Sequence, residues 1–379
     1  HAKTGQWWEA NPHRALANNS AVYITKPDVG QFMNEWTSLY HSHSGERGIF
    51  NREAAINQAK KNGRRDTEQE FGTNPCSEII LRPYQFCNLS EVVVREGDSI
   101  YDLERKVRLA TQLGTYQSTM THFPYLRKIW QRNTEEERLL GVSLTGILDN
   151  KLLGDTVEQT RTLLERLKDV SVDTNLQLST DLNIPCSTAI TCVKPSGTVS
   201  QLVDSASGIH PRHSKYYVRR VRGDKKDPLT SFMTEQGIPS EDCVMRPEST
   251  TVFSFPKKAP HNALLREDLT ATQHLDLWMM YQKHWCEHKP SVTISVEEDE
   301  WVEVGAWCWK NFDDISGVSF LPYDGGTYRQ APYEECSEEE YLELLHKMPD
   351  TIDWDSLTEE DDNVEGAQQL ACTAGVCEI

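Results

Sequence analysis

The sequence predicts a mixed α/β protein, and three observations carry that expectation. Segments with three- and four-residue apolar spacing alternate with short extended runs, the pattern of helices interleaved with strands rather than of a bundle or a sandwich. The 379 residues are 37% hydrophobic and include 10 Trp, 13 Tyr and 10 Phe, enough for a substantial core. At the usual domain size of roughly 150 residues this suggests about two domains, or one large domain with a tail. No apolar run approaches the roughly 18 residues that a membrane span needs.

In chain order, Ser99 followed by Asp102 ahead of Leu103, Val107, Ala110 and Leu113 reads as a capped helix start. Asp155 to Leu178 sets Val157, Leu163, Leu164, Leu167, Val170 and Leu178 on one face of a long amphipathic helix. Thr188 to Val193 is expected to be a buried strand that stops at Lys194-Pro195. A third helix is expected from Thr270 through Leu275, Trp278 and Tyr281, and a fourth from Glu298 to Lys310. Ser291 to Val296 alternates polar positions with Val292, Ile294 and Val296, and Phe320 to Tyr323 is a further strand closed by the Asp324-Gly325-Gly326 turn. From about Ala331 the pattern changes to a short acidic helix around Glu338 to Lys347, a charged linker and a small-residue terminus that is expected to be mobile. No internal repeat or low-complexity tract is present.

Lys plus Arg number 39 against 58 Asp plus Glu, a net charge of −19, which argues against a general electrostatic grip on nucleic acid or an anionic membrane. Most of the excess lies between residues 334 and 365, where fourteen acids face one base, Lys347. Any phosphate must therefore be held locally. No basic-then-apolar leader follows His1, so a cytoplasmic location is expected, and the missing initiator Met is what a fragment or processed chain would show. The ten cysteines are too scattered for a disulfide-dense secreted domain, and they form neither a C-x-x-C pair nor a cluster with structural zinc spacing. The two commonest phosphate-loop signatures are also absent.

The most informative segment is Gly72-Thr73-Asn74-Pro75-Cys76-Ser77-Glu78-Ile79-Ile80, followed by Phe86-Cys87-Asn88-Leu89. Asn74, Cys76 and Glu78 alternate, so an extended loop stiffened by Pro75 would turn an amide, a thiol and a carboxylate to one face. A lone cysteine is often a small buried hydrophobe, but an apolar core position would not invite both polar neighbours. A second segment, Lys194-Pro195-Ser196-Gly197-Thr198-Val199-Ser200, runs from a buried strand into backbone N–H groups and hydroxyls that can surround a phosphate where a helix begins. By itself such a segment is also an ordinary turn.

Together these motifs resemble the ribonucleotide reductases, whose finger loop carries Asn-x-Cys-x-Glu. The resemblance continues through Ser207-Gly208-Ile209-His210-Pro211, Tyr216-Tyr217-Val218-Arg219-Arg220, Pro290-Ser291-Val292-Thr293 and the stretch from Glu300-Trp301 to Tyr323-Asp324-Gly325-Gly326, in a form most similar to the adenosylcobalamin-dependent (class II) enzymes. It covers the carboxyl part of such a reductase. The resemblance implies part of a ten-stranded α/β barrel with a central finger loop over 72–88, a phosphate loop over 194–200, a catalytic portion over 1–330 and a redox-active acidic region over 331–379. It assigns a thiyl radical to Cys76, the 3′-hydroxyl proton to Glu78, substrate orientation to Asn74 and one thiol of the reducing pair to Cys87. It assigns substrate phosphate to Pro195, Ser196, Gly197, Thr198, Val199 and Ser200, and a shuttle dithiol to Cys372 and Cys377. The implied cofactor is adenosylcobalamin. The implied partners are a ribonucleoside di- or triphosphate, a thioredoxin-like reductant and the complementary amino-terminal half of the barrel. Two alternatives stay open: a class I large subunit with a metal-radical partner, and an inactive half that serves as an assembly module.

Other features are expected to be structural. Tyr216-Tyr217 follows the Gly208-Ile209-His210-Pro211 segment, away from the position of a radical relay, and reads as packing. His41 and His43 lack a third ligand, so no metal site is read. Cys186 and Cys192 flank a strand and are expected in the core. Cys286, Cys308 and Cys336 have no partner at useful spacing, Trp301, Trp307 and Trp309 read as helix packing, and Arg219 and Arg220 as a surface pair.

Overall fold

A computed structural model describes residues 20–42, 48–323 and 329–358, together with the backbone of Cys372–Thr373 and Val376–Cys377. His43, the 324–326 turn and most of the terminal linker therefore lie outside the described residues. The row of strands that organises the fold runs mostly parallel. Asn88–Val93 pairs with Leu140–Thr145 from Asn88↔Leu140 to Val93↔Thr145, and that strand pairs in turn with Thr191–Cys192. A parallel bridge, Val193↔Pro290, continues the row to Thr293–Val296, which lies parallel to Val318–Pro322. Beyond it the direction reverses: Val318↔Ile49 and Ser319↔Gly48 are antiparallel, and Ala21–Tyr23 lies parallel to Gly48–Asn51 at the far edge.

The mixed α/β class expected from the alternating periods is present. The closed ten-stranded barrel is not formed by the described residues, whose strands make open sheets of four and three joined by the one bridge. A second body of structure, which apolar spacing did not announce, is antiparallel. Tyr216–Asp224 pairs along its whole length with Thr250–Lys258, flanked by Ser240–Asp242 and Tyr333–Glu335. Arg219 lies over the ring of Tyr333 at 4.5 Å and Arg220 pairs with Glu334, so this arginine pair pins the start of the acidic region to the sheet. Tyr216 donates to Glu338 and Tyr217 accepts from Arg212, which is the packing use expected of them.

Helices cover the strands where the apolar spacing places them. Ile100–Gln117 opens on a reciprocal Ser99/Asp102 cap, and Ala271–His284 on the equivalent Thr270/Gln273 cap. Glu158–Asp181 buries Leu163, Leu164 and Leu167, whereas Val157 precedes the first turn and is half-exposed. Past Leu167 the buried face is polar: Ser171 meets Thr111 at 2.8 Å, and Asn175 donates to Thr115 at 2.9 Å and to Ser187 at 3.0 Å. Hydrophobic periodicity cannot see such a seam, because small polar side chains that satisfy one another bury as readily as leucine. Leu275, Trp278 and Tyr281 are fully buried as expected. The indole of Trp278 donates to the Pro290 carbonyl at 2.9 Å and that of Trp285 to the Cys192 carbonyl at 2.8 Å, fastening this helix to the two strand ends that the Val193↔Pro290 bridge joins. Trp301 is buried and Trp307 donates to Asp276, consistent with packing. Cys192 is in the core, whereas Cys186, expected there too, is partly exposed, because it follows the end of the long helix rather than lying in a strand.

One buried ion pair fixes the root of the 72–81 hairpin. Arg65 donates to both oxygens of Glu137, at 3.1 and 3.0 Å, and to the Ile80 carbonyl at 2.9 Å, while its guanidinium lies 4.6 Å from the Phe71 ring centre. Gln85 donates to the same carboxylate. Removing one partner of a buried pair leaves an uncompensated charge, a cost of about 3–5 kcal/mol. Glu137→Leu is therefore expected to lower unfolding stability by about that amount in a denaturant titration, and Arg65→Met added to it should recover a large part, since the pair replaced by apolar groups is close to neutral.

Candidate active site

Gly72–Thr73 pairs antiparallel with Ile80–Leu81, which presents residues 74–79 as the tip of a hairpin. The tip is not the extended loop that alternation predicts. Ser77 N donates to the Asn74 carbonyl at 2.9 Å, closing a turn with Pro75 at its second position, and Ser77 takes a left-handed φ of 67°. The Asn74 side chain accepts from Ile79 N at 3.0 Å, so part of its hydrogen-bonding capacity frames the loop itself. The single shared face is thereby broken. Pro75 is exposed, Cys76 is partly exposed, and Glu78 is sealed with 1% of its surface accessible.

Both Glu78 carboxyl oxygens are buried and make no well-aligned hydrogen bond, although the Asn74 side chain and the Glu78 backbone N–H lie close enough to favour the charged form. Burial pushes its ionisation upward, partly offset by the neighbouring Asn74 side chain and by the Lys194 and Lys289 ammonium groups. Glu78 in turn acts on two thiols. Burial and then the Glu78 carboxylate push Cys87 well above the ordinary thiol range, and the same two causes lead for Cys192. The structure thus brings Asn74, Cys76, Glu78, Cys87 and the root of the 194–200 loop into one neighbourhood.

Two glycines make room for this approach. A Cβ on Gly141, in the middle strand, would stand 2.5 Å from Leu89 Cδ2, 3.0 Å from Ile79 Cδ1 and 3.2 Å from Cys87 Sγ. One on Gly317 would stand 2.1 Å from Lys289 Nζ and 3.1 Å from Ser77 Oγ. The segment 288–291 then buckles the tip in place. Neutral His288, held down to about 3 by burial and Arg65, accepts from Ile80 N at 3.3 Å and donates to the Leu140 carbonyl at 3.0 Å. Lys289 Nζ donates to Ser77 Oγ at 2.7 Å, and Ser291 Oγ to the Cys76 carbonyl at 2.6 Å.

The 194–200 loop hangs from the same sheet. Lys194 N donates to Ser143 Oγ at 2.8 Å, Ser196 takes a left-handed φ of 57°, and Ser200 Oγ bonds the Ser196 carbonyl and Ser207 Oγ. Pro195, Ser196 and Ser200 are buried, Gly197 is partly buried, and Thr198 and Val199 are exposed at the start of the short helix Val199–Leu202. Gly208 closes the segment with φ 56°, where a Cβ would stand 2.3 Å from the Lys194 carbonyl. Arg212, bidentate to Asp149 at 2.9 and 2.8 Å, straps the return. Cys372 and Cys377 are register partners in a two-stranded hairpin, and their side chains lie outside the described residues.

Sequence reasoning passed over Lys289, His288, Gly141 and Gly317. The one available signal was the polar His288-Lys289 pair set between Trp285-Cys286 and Val292, since a lysine is seldom fully buried without a partner. A buried acid with raised ionisation binds its proton more tightly folded than unfolded, so folding gains from the neutral form at low pH and loses as pH climbs from the ordinary carboxylate range through the raised value. Glu78→Gln is therefore expected to stabilise the chain at neutral pH. The gain should fade as pH falls through the raised value toward the ordinary carboxylate range and be gone below about 4.3, with each tenfold change in ionisation constant worth about 1.4 kcal/mol. Thermal unfolding of both chains against pH checks this.

No family model matches the chain. Among curated relatives it is 28% identical over 381 residues to an adenosylcobalamin-dependent ribonucleoside-triphosphate reductase of Euglena gracilis, covering 98% of this chain and 51% of the relative. It is 28% identical over 405 residues to the enzyme of that name from Lactobacillus gasseri, covering 97% and 53%. Among solved structures it matches a B12-dependent (class II) ribonucleotide reductase with TM-score 0.72 and 23% identity, over 92% of this chain and 52% of that one. A class Id ribonucleotide reductase alpha subunit from Actinobacillus ureae gives TM-score 0.51 at 13% identity, over 76% and 61%. The chain thus spans about half the length of the curated relatives it matches. Over that half, it is a homologue of the class II, adenosylcobalamin-dependent ribonucleotide reductases.

Proposed function

We propose that this chain carries the radical-bearing part of a ribonucleotide reductase active site, in which Cys76, as a thiyl radical, removes the 3′-hydrogen of a ribonucleoside di- or triphosphate. The observation that carries the reading is the sealed, unpartnered carboxyl of Glu78 two residues from a partly exposed thiol. A buried acid with raised ionisation is a stronger base than an exposed one, which suits it to take the 3′-hydroxyl proton. With the hydrogen on Cys76 and the 3′-hydroxyl proton on Glu78, the 2′-hydroxyl takes a proton from the reducing thiol pair and leaves as water. Cys87 and a second thiol, oxidised together to a disulfide, supply the two electrons and the second hydrogen, which goes to C2′, while Glu78 returns its proton to the 3′-oxygen and Cys76 its hydrogen to C3′. Asn74, anchored by its bond from Ile79 N, keeps donor capacity for a substrate hydroxyl. The 194–200 loop, whose Ser196 hydroxyl is buried without a partner, is the proposed seat of the phosphate.

The row of five parallel strands, with its antiparallel junction to Gly48–Asn51, supports a half-barrel that a complementary chain segment completes. The opposed register of Cys372 and Cys377 supports a shuttle dithiol recharged by a thioredoxin-like reductant, since cross-strand partners lie within the Cα separation that a disulfide spans. Adenosylcobalamin, when bound, supplies a carbon–cobalt bond that can break homolytically. The partly exposed tip at Cys76, outward of sealed Glu78, fits a radical source that approaches from outside the sheet.

The test is nucleotide reduction by this chain completed with the missing half. Cys76→Ser should abolish both product and substrate-derived radical, and Cys87→Ser should stop turnover while initiation persists. Cys372→Ser or Cys377→Ser should spare a single turnover and slow repeated turnover with thioredoxin. Turnover without carbon–cobalt cleavage would instead favour a metal-radical partner. Full activity of Cys76→Ser would refute the assignment outright.

A further inference from the structure

We propose that Lys289 is a positioning residue of this site: its ammonium group holds the loop tip through Ser77 and sets a positive charge near the sealed carboxyl of Glu78. The inference rests on the reading of Glu78 as proton acceptor. Lys289 is fully buried, and among the described residues its ammonium has Ser77 Oγ, at 2.7 Å, as its one hydrogen-bond partner. The space it fills exists because residue 317 is glycine, and the Phe50 ring centre lies 6.0 Å away. Three successive loop residues are held by one short stretch: the Cys76 carbonyl by Ser291 Oγ, Ser77 Oγ by Lys289 Nζ, and the Glu78 carbonyl by Lys289 N at 3.3 Å.

A purely structural filler at position 289 would be apolar. Burying an ammonium costs free energy, and a methionine of similar length would fill the space without that cost. What the ammonium adds is charge, and the group it acts on is Glu78. The other groups in this field are Lys194 from the end of the neighbouring strand, the thiols of Cys87 and Cys192 from the sheet, and Cys286 from the segment preceding Lys289 itself. Arg65 bears on His288 and Cys87 from behind. Burial lowers Lys289 to about 7, against the pull of Glu78 and Cys286. Its charge is therefore present below neutrality and fades above it, and Glu78 loses that support as pH rises.

The test reads Glu78 directly. The infrared carbonyl band of its protonated carboxyl, identified by its loss in Glu78→Gln, is followed against pH in the unsubstituted chain, Lys289→Met and Ser77→Ala. Lys289→Met should raise the Glu78 midpoint by about one pH unit, a tenfold change in ionisation constant. Ser77→Ala, which keeps the ammonium but removes its acceptor, should raise it by less. An unmoved midpoint in Lys289→Met that melts like the unsubstituted chain overturns the proposal. Should Lys289→Met fail to fold, an unmoved midpoint in Ser77→Ala does the same. The measurement needs neither nucleotide nor cofactor, so its failure is distinct from failure of the reductase reading, which shows only in turnover of the completed enzyme.

Discussion

Burial of one acidic side chain without a hydrogen-bond partner is the constraint around which this structure is arranged. Glu78 sits at the tip of a hairpin, sealed from solvent, and its carboxyl oxygens have no well-aligned hydrogen-bond donor. Such a group raises the free energy of the folded chain, so the surroundings must hold the tip firmly enough to keep it from swinging out. The restraints are visible on every side. Arg65 fixes the hairpin root at the Ile80 carbonyl, His288 holds Ile80 N, Asn74 holds Ile79 N, and Lys289 and Ser291 hold Ser77 and Cys76.

Much of the buried polarity in the scaffold under these restraints is satisfied. Arg65–Glu137 and Arg212–Asp149 are buried bidentate pairs, the indoles of Trp36, Trp278 and Trp285 each donate to a backbone carbonyl, and the polar face of Glu158–Asp181 is matched by Thr111 and Thr115. Buried side-chain atoms without a partner occur at several places in the fold, Thr134, Ser179 and Gln282 among them, and Glu78, Glu91 and Ser196 belong to that set. Glu78 and Ser196 belong to the two loops that the sequence singled out, and Glu91 belongs to the strand that follows Cys87.

How much of this was legible depends on which force fixed each feature. The helices at Ile100–Gln117 and Ala271–His284 were readable because local signals, a cap and an apolar stripe, agree with tertiary burial. The long helix was readable as far as Leu167 and then became opaque, since Ser171, Asn175 and Ser179 are buried for reasons that exist only once the neighbouring helix is in place. The 74–78 motif was legible as a segment but its alternation misstated its shape. Alternation presumes an extended chain, and it was overruled by the Pro75 turn, the left-handed Ser77 and the Asn74 side chain accepting from Ile79 N. Gly141 and Gly317 were unreadable, because a glycine that makes room for another segment looks from the sequence like any other glycine.

The placement of Lys289 follows from the same constraint rather than from stability. A buried ammonium beside a buried carboxyl is seldom a net gain over two apolar side chains of similar volume, since each group must be stripped of water before they attract. Here the two do not even form a direct pair: the ammonium is spent on Ser77, while the carboxyl oxygens keep their lone pairs open. A closed salt bridge would have satisfied both groups and locked Glu78 in its ionised form. Holding the cation one residue away moderates the cost of charge on Glu78 without capturing its oxygens in a salt bridge.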